Sequence, residues 1–249
     1  MNPGLLHFIR ARREPIEGDK EAVRLVYRSE LVRNATGSGP ELDQYVADRA
    51  PLFYRSVDSI MDDLRAGYFL TAVKDTLAKL PTSKSFQTSH FGEIVAGIFA
   101  EEVLGLRRLY SKLSLLSAEN ANPYKMDLVL YDPDSVPIKF IFGEVKCSPK
   151  VAADGLPTKH DASCFSDLFN SMNKYQSSDR NFDLAAARDN LGNIPTGDRD
   201  RVRDALKPYS GSEVGYAGFV IIDTSTFDLG EAQVLRTRKN NKEFEVDLV

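Results

Sequence analysis

The chain has 249 residues, of which 42% are hydrophobic and 27% charged, and its net charge is −4 at pH 7. This composition is that of an ordinary globular protein, and the length suffices for one large domain or one domain with an appendage. The mild acidity argues against a protein that grips nucleic acid by bulk charge alone, because phosphate contacts require clustered Lys and Arg. No apolar run approaches the roughly 18 residues of a membrane span, and the N-terminus lacks a secretory signal, so we expect a cytoplasmic protein without membrane contact.

Two cysteines, Cys147 and Cys164, agree with a reducing compartment, where a thiol is more often a small buried residue than half of a disulfide. A zinc site would need His160 beside them and a fourth ligand at suitable spacing, which the sequence does not supply. The cysteines therefore give little support to a zinc protein.

The first 81 residues predict a mainly helical N-terminal region of unassigned role. The segment "EAVRLVYRSELVRNA" is compatible with a strand, and "NATGSGPE" has the composition of a loop. The segment "SVDSIMDDLRAGYFLTAVKDTLAKL" has helical spacing of its apolar residues, and "LPTSKS" interrupts that pattern. We therefore place a boundary there, between an N-terminal region, 1–81, and a domain that carries the chemistry, 82–249.

The second region alternates helical and strand patterns. A helix is predicted in "SHFGEIVAGIFAEEVLG", beginning after Thr88 or Ser89 and ending at Gly105. Strands are predicted in "YKMDLVLYD" and "PIKFIFGEVK", helices in "CFSDLFNSMNKYQSS" and "NFDLAAARDNLG", and a central strand buried on both faces in "GYAGFVIID". A hairpin is predicted in "AQVLRTRK" and "EFEVDLV". This order predicts an α/β (α+β) fold with a mixed central sheet flanked by helices.

Polar residues of the two adjacent strands are predicted to meet. Glu144 and Lys146 are two positions apart in a strand, so they share a face while Val145 points to the other. Asp127 lies early in the neighbouring strand, and an antiparallel hairpin between the strands brings it near Glu144. The strand that carries Glu144 therefore places a carboxylate and an ammonium on the same face, near Asp127.

Glu93 completes the set from the preceding helix. Helical spacing puts it in line with Gly97 and Ala100, whose small side chains let this side of the helix approach the sheet closely. Carboxylates in pairs are the ligands that Mg²⁺ or Mn²⁺ prefers. A neighbouring lysine can orient or deprotonate an attacking water and offset charge on a phosphate. The pattern indicates metal-dependent phosphodiester hydrolysis.

The spacing of these residues resembles that of the PD-(D/E)xK nucleases, a superfamily of restriction-endonuclease-like fold. The matching elements are Asp127 in "KMDLVLYD", the run Glu144–Lys146 in "GEVK", and a preceding helix that carries Glu93. The resemblance covers roughly residues 89–223, with Met126 where the superfamily often has proline. Strands on both halves of the motif and a helical glutamate upstream make the pattern more specific than D…ExK alone.

The resemblance implies a role for each residue of the motif. Asp127, Glu144 and the backbone carbonyl of Val145 would bind Mg²⁺ or Mn²⁺. Lys146 would act on the attacking water, and Glu93 would assist through the water shell of the metal. DNA would be the substrate of such an enzyme, a deoxyribonuclease.

Three further residues are candidates for substrate contacts. Lys174 and Gln176, in "NSMNKYQSS", follow the motif strand where the superfamily often places residues that touch phosphate. His160, in "TKHDAS", lies in the loop after that strand. For each of them a solvated surface position remains the alternative. The basic segment "RTRKNNK" has the same two interpretations, a phosphate contact or a soluble turn.

The segments "SHFGEIVAGIFAEEVLGL", "YKMDLVLYD" and "FGEVKCSP" together resemble the nuclease subunit of the Hachiman anti-phage defence system. This resemblance implies a separate superfamily-two helicase as partner. It agrees with the lack of a GxxxxGK[ST] phosphate loop in the sequence, since an ATP-driven step would then belong to another subunit.

Simpler explanations stay open at this point. Glu144 and Lys146 can be a salt bridge at a sheet edge, worth under about 1 kcal/mol if exposed. Asp127 can end a turn, and Glu93, in the first turn of its helix, is favoured by the macrodipole whatever its function. For the whole protein, the alternative is a catalytically inactive nuclease-fold docking module in a larger nucleic-acid-processing complex.

Overall fold

The computed structural model describes residues 9–14, 26–31, 42–116, 126–148, 164–172, 179–207 and 214–222. The strands are Ile9–Glu14 (β1), Val26–Leu31 (β2), Arg107–Ser111 (β3), Leu128–Asp132 (β4), Lys139–Ser148 (β5) and Val214–Ile222 (β6). The helices are Leu42–Arg49 (α1), Pro51–Tyr54 (α2), Val57–Arg65 (α3), Phe69–Leu77 (α4), Lys84–Glu102 (α5), Cys164–Met172 (α6), Asp179–Asp189 (α7) and Arg199–Ala205 (α8). No helix of the described residues has the length and apolar character needed to cross a bilayer.

Strands β3 to β6 form a mixed four-stranded sheet in the order β3-β4-β5-β6. The pairs β3–β4 and β4–β5 are antiparallel, and β5–β6 is parallel. The parallel pair requires a long crossover, and α6, α7 and α8 lie in that stretch of the chain. The predicted mixed α/β architecture is confirmed. β5 pairs with β4 over Lys139–Gly143 and with β6 over Phe140–Ser148, and β6 has one neighbour among the described strands.

Alternate residues of the strands pack into two hydrophobic cores, one on each face of the sheet. Leu128 and Leu130 pack with α5 and with side chains of α1 and α2. Val129 and Tyr131 pack on the other face with side chains of α6, α7 and α8. The sheet is therefore covered by helices on both faces, and β5 is fixed from two sides.

In the described residues of the N-terminal region, a pair of strands accompanies helices α1 to α4. β1 and β2 form an antiparallel pair, with Ile9 opposite Leu31, and only the second of these strands was indicated by sequence pattern. The predicted helical stretch after residue 55 is two helices, α3 and α4. Gly67, between them, has a φ of 78°, which favours glycine. Tyr45 and Phe53 pack into the core on the α5 side, and the predicted boundary at residue 81 stays a prediction.

Helices α3 and α4 carry an apolar face that the rest of the described chain leaves exposed, and we call it the α3–α4 apolar face. The buried guanidinium of Arg55 ties the two helices together, because it donates to the Ala72 carbonyl at 3.3 Å and to Asp63 Oδ2 at 2.7 Å. The face consists of Val57, Met61, Leu64, Tyr68, Phe69, Leu70, Val73 and Leu77.

Candidate active site

Glu144 and Lys146 project from one face of β5, as their spacing predicts. Lys146 Nζ donates to Glu144 Oε1 at 3.0 Å. Glu144 is only 2% exposed, whereas the side chain of Lys146 keeps 28% of its surface accessible. β5 pairs with β4 only as far as Gly143, so at Glu144 and Lys146 its paired neighbour is β6. The burial of Glu144 is not what an exposed salt bridge at a sheet edge predicts. In this pair the carboxylate of Glu144 is buried, and the ammonium of Lys146 is partly accessible to solvent.

Asp127 lies directly before β4, where that strand meets β5. Its Oδ2 accepts a hydrogen bond from the backbone N–H of Val145 at 2.7 Å, and its own N–H donates to the Gly143 carbonyl at 3.2 Å. The side chain is buried. These contacts fix the Asp127 side chain against the neighbouring strand. The Asp127 carboxylate therefore lies beside the backbone of the residue that follows Glu144.

Glu93 lies in the middle of α5, because this 19-residue helix begins at Lys84 and not after Thr88 or Ser89. Ser83 caps the helix by accepting from the Phe86 N–H. The macrodipole acts mainly in the first turn, so it does not explain an acid at this position. Glu93 is also 1% exposed, which makes its carboxylate a costly group without a partner.

Sequence reasoning missed Lys112, which joins the carboxylates. Its Nζ contacts Asp127 Oδ1 and lies 3.3 Å from Glu93 Oε1. It follows β3, a strand that the sequence analysis did not predict, and its backbone N–H donates to the Asp127 carbonyl at 2.9 Å. The signal was present in "LRRLYSKL", where Leu109 and Tyr110 are strand formers, but the two arginines concealed it.

The charged side chains around Lys112 shift one another's pKa values. Burial and the nearby Asp127 charge together raise the pKa of Glu93 to about 8, against the opposing effect of Lys112. Burial alone would lower the pKa of Lys112. The carboxylates of Asp127, Glu93 and Glu144 outweigh that effect and raise the pKa of Lys112 above its ordinary value. Lys112 is therefore an ammonium held among three acids.

Close approach of α5 to β5 depends on Gly92. A Cβ at this position would overlap the Cβ of Cys147. Gly97, which the sequence placed against the sheet, instead lies against the ring of Phe53 in α2. The prediction for Gly97 was therefore wrong about the partner, since helix α2 lies on that side of α5. Gly92 is the residue that brings Glu93 to the end of β5.

The structure brings the predicted residues together in two linked groups. Glu93 and Asp127 share Lys112, and Glu144 pairs with Lys146 on the adjacent strand. In the described part of the chain, no group of three or more His, Cys, Asp or Glu residues is arranged to hold a metal ion. The candidate carboxylate ligands of a metal ion are therefore those of Asp127 and Glu144.

Several sequence predictions fall outside the described residues. These are the proposed substrate contacts Lys174, Gln176 and His160, and the C-terminal hairpin with its basic segment. They stay predictions.

The raised pKa of Glu93 predicts a pH dependence of stability. Between about 4.5 and about 8 the folded protein binds more protons than the unfolded chain, so this group makes stability fall as the pH rises through that window. We expect the Tm of the wild type in EDTA to fall by at least about 3 °C more than that of Glu93→Gln between pH 6 and pH 8.5. Thermal unfolding at a series of pH values measures the difference.

Asp62→Asn is the control for that experiment, because Asp62 has 72% of its side chain exposed and pairs with the exposed Arg65. It should keep the pH profile of the wild type. Parallel Tm curves for the wild type and Glu93→Gln would contradict the assignment.

The fold and the site define a mixed α/β protein with a buried cluster of acids and lysines where two adjacent strands of its sheet meet. A family model described as HamA matches residues 7–249, nearly the whole chain. The chain belongs to the HamA family, the HamA proteins of Hachiman anti-phage defence. No curated protein and no solved structure gives a match.

Proposed function

We propose that this HamA-family chain is a Mg²⁺- or Mn²⁺-dependent deoxyribonuclease of the PD-(D/E)xK superfamily, with a restriction-endonuclease-like fold. It acts in anti-phage defence together with a superfamily-two helicase. One observation supports the chemistry above all: Asp127 and Glu144 are buried carboxylates at the junction of adjacent strands, and Lys146 is bonded to one of them. Burying carboxylates is costly unless cations offset their charge, and buried acids beside an accessible lysine are a feature of functional sites.

The residues present suit a hard divalent cation. Asp127 and Glu144 offer oxygen ligands, and ions such as Mg²⁺ use one or two carboxylates and complete their shell with water. Glu93 Oε2 is buried and has no hydrogen-bond partner among the described residues, so it can accept from a metal-bound water. The carbonyl of Val145 is a further candidate ligand.

In the proposed hydrolysis each side chain of the site has a separate role. A bound Mg²⁺ supplies Lewis acidity and lowers the pKa of a water in its shell. The Val145 N–H fixes the orientation of the Asp127 carboxylate, and Glu144 fixes the ammonium of Lys146. Lys146, with 28% of its side chain accessible, can hold the attacking water and face the charge that develops on the phosphate.

The experiment that tests this function is a cleavage assay on DNA with the purified chain and its helicase partner. We expect cleavage with Mg²⁺ or Mn²⁺, loss of cleavage in EDTA, and recovery when the cation is returned. Cleavage at an unchanged rate in EDTA would contradict the proposal.

A protein partner is supported by the α3–α4 apolar face. Its eight members are 39% to 71% exposed. Tyr68 and Phe69 are aromatic side chains of about 150–250 Å² each, so at 62% exposure these two alone leave roughly 200–300 Å² in contact with solvent. Large exposed apolar side chains that cluster on a surface are typical of protein interaction sites.

Charged substitutions on that face should break the complex and spare the fold. We expect Leu70→Glu with Leu77→Glu to lose helicase co-purification and to change the Tm by less than about 3 °C, because both side chains are exposed. Val136→Glu is the control, since Val136 is 90% exposed in the β4–β5 connection. Undiminished recovery of the helicase with the double variant would contradict this assignment.

The same face favours a second candidate function, a catalytically inactive nuclease-fold docking module. Phage-protection assays separate the two. A docking module loses protection with the α3–α4 variant and keeps it with Glu144→Gln, whereas a nuclease loses protection with both.

A further inference from the structure

Lys112 occupies a position that the proposed chemistry does not use. It is a third cation of the site region, besides Lys146 and the divalent ion, and only 10% of its side chain is exposed. Its Nζ contacts Asp127 Oδ1, an oxygen of a proposed metal ligand, and lies 3.3 Å from Glu93 Oε1. A lysine this deeply buried among acids contributes to the charge balance of the site.

A divalent ion and the Lys112 ammonium compete for the same carboxylate. A Mg²⁺ or Mn²⁺ bound to Asp127 lies about 2.1 Å from its oxygen, so an ammonium still in contact with that carboxylate would be within a few ångströms of a double positive charge. Repulsion at that range is strong in a buried site, because little water screens it. Asp127 Oδ2 already accepts from the Val145 N–H, so Oδ1 is the oxygen available to the ion, and the Lys112 ammonium occupies it.

We propose that Lys112 is a built-in counter-cation, which neutralises Asp127 beside the buried carboxyl of Glu93 in the metal-free protein and withdraws from Asp127 when a divalent ion binds. This inference rests on the proposed metal site and adds its regulation. Lys112 stabilises the fold before the metal arrives, and it weakens the affinity for the metal because its contacts have to be broken first. Lys112 is therefore a positioning residue. Its ammonium keeps the Asp127 carboxylate in place when no metal is bound.

Lys79 provides a matched control on the same side of the molecule. Its Nζ is also partly buried, and it donates to the carbonyls of Tyr54 at 3.0 Å and Ser114 at 2.8 Å. Its hydrogen-bond acceptors are thus neutral carbonyls, not the acids of the site. Replacing Lys79 removes a buried ammonium without changing the charge on Asp127.

The test combines Mn²⁺ titration calorimetry with thermal unfolding of the full chain. For Lys112→Met we expect a Kd for Mn²⁺ at least about tenfold lower than that of the wild type, together with a Tm in EDTA lower by about 4 °C or more. Mn²⁺ should raise the Tm of this variant more than that of the wild type. Lys112→Gln keeps a donor beside Asp127 without the charge, so it should show the same gain in affinity with a smaller loss of Tm.

Two further variants identify the cause. Lys112→Arg keeps the charge and should keep the weak affinity of the wild type. Lys79→Met should lower the Tm in EDTA and leave the Kd for Mn²⁺ unchanged. If Lys112→Met does not fold, Lys112→Gln decides the outcome.

The possible failures are distinguishable. If the wild type binds Mn²⁺ and the neutral Lys112 variants bind it no more tightly, the counter-cation role is overturned and the proposed nuclease stands. If neither the wild type nor the variants bind Mn²⁺, the metal site itself is overturned, and the counter-cation role with it.

Discussion

Glu144→Gln is expected to lower the single-turnover rate of Mg²⁺-dependent DNA cleavage by at least about 100-fold and to abolish Mn²⁺ binding. Glutamine keeps the size of the side chain and an oxygen that can accept from Lys146 Nζ, which now lies 3.0 Å from Glu144 Oε1. It lacks the negative charge by which a carboxylate holds a divalent ion in competition with water. The loss should therefore occur in a protein that is still folded.

Lys146→Met separates the two halves of the motif. It should lower the cleavage rate by a similar factor but leave Mn²⁺ bound, because the ligands Asp127 and Glu144 remain. Asp132→Asn, at the other end of β4, is the control and should cleave at the rate of the wild type. Cleavage by Lys146→Met at the wild-type rate would remove the lysine from the mechanism.

The second large effect is expected at Gly92. Gly92→Ala places a Cβ where it overlaps the Cβ of Cys147, so α5 has to move away from β5. Such overpacking typically costs about 1–3 kcal/mol. Since Glu93 is the next residue, we also expect weaker Mn²⁺ binding and slower cleavage in the molecules that remain folded. Urea unfolding and Mn²⁺ titration measure the two effects.

Two other glycines make this prediction specific. Gly97→Ala overlaps the ring of Phe53 on the α2 side, so it should lower stability and leave Mn²⁺ affinity unchanged. Gly197→Ala meets no atom within 4 Å and should change neither. If Gly92→Ala were as stable and as active as Gly197→Ala, the close approach of α5 would not matter to the site.

The strands that carry the motif could be predicted because their signals are local. Apolar runs ended by turn residues indicated β4 and β5, and the two-residue period of a strand placed Glu144 and Lys146 on one face. The mixed sheet followed from the order of elements. These features need no knowledge of distant parts of the chain.

The parts that the sequence did not indicate depend on tertiary partners. β3 was missed because Arg108 interrupts its apolar pattern. In the structure Arg108 is buried, lies 3.7 Å above the ring of Phe53, and pairs with Glu101 at 3.2 Å. Lys112 was missed because its acidic partners are distant in the sequence: Glu93 lies in α5, and Asp127 lies directly before β4. The early start of α5 was missed because its first turn is mainly polar, so its only signal is the cap at Ser83.

Whether Asp127 and Glu144 share a divalent ion is tested most directly by a crystal structure with saturating Mn²⁺ and anomalous diffraction data. We expect one anomalous peak bound by oxygens of both carboxylates at about 2.1–2.2 Å, with Lys112 Nζ withdrawn from Asp127. Absence of a peak between the two carboxylates, with Lys112 still in contact with Asp127, would contradict the proposed metal site.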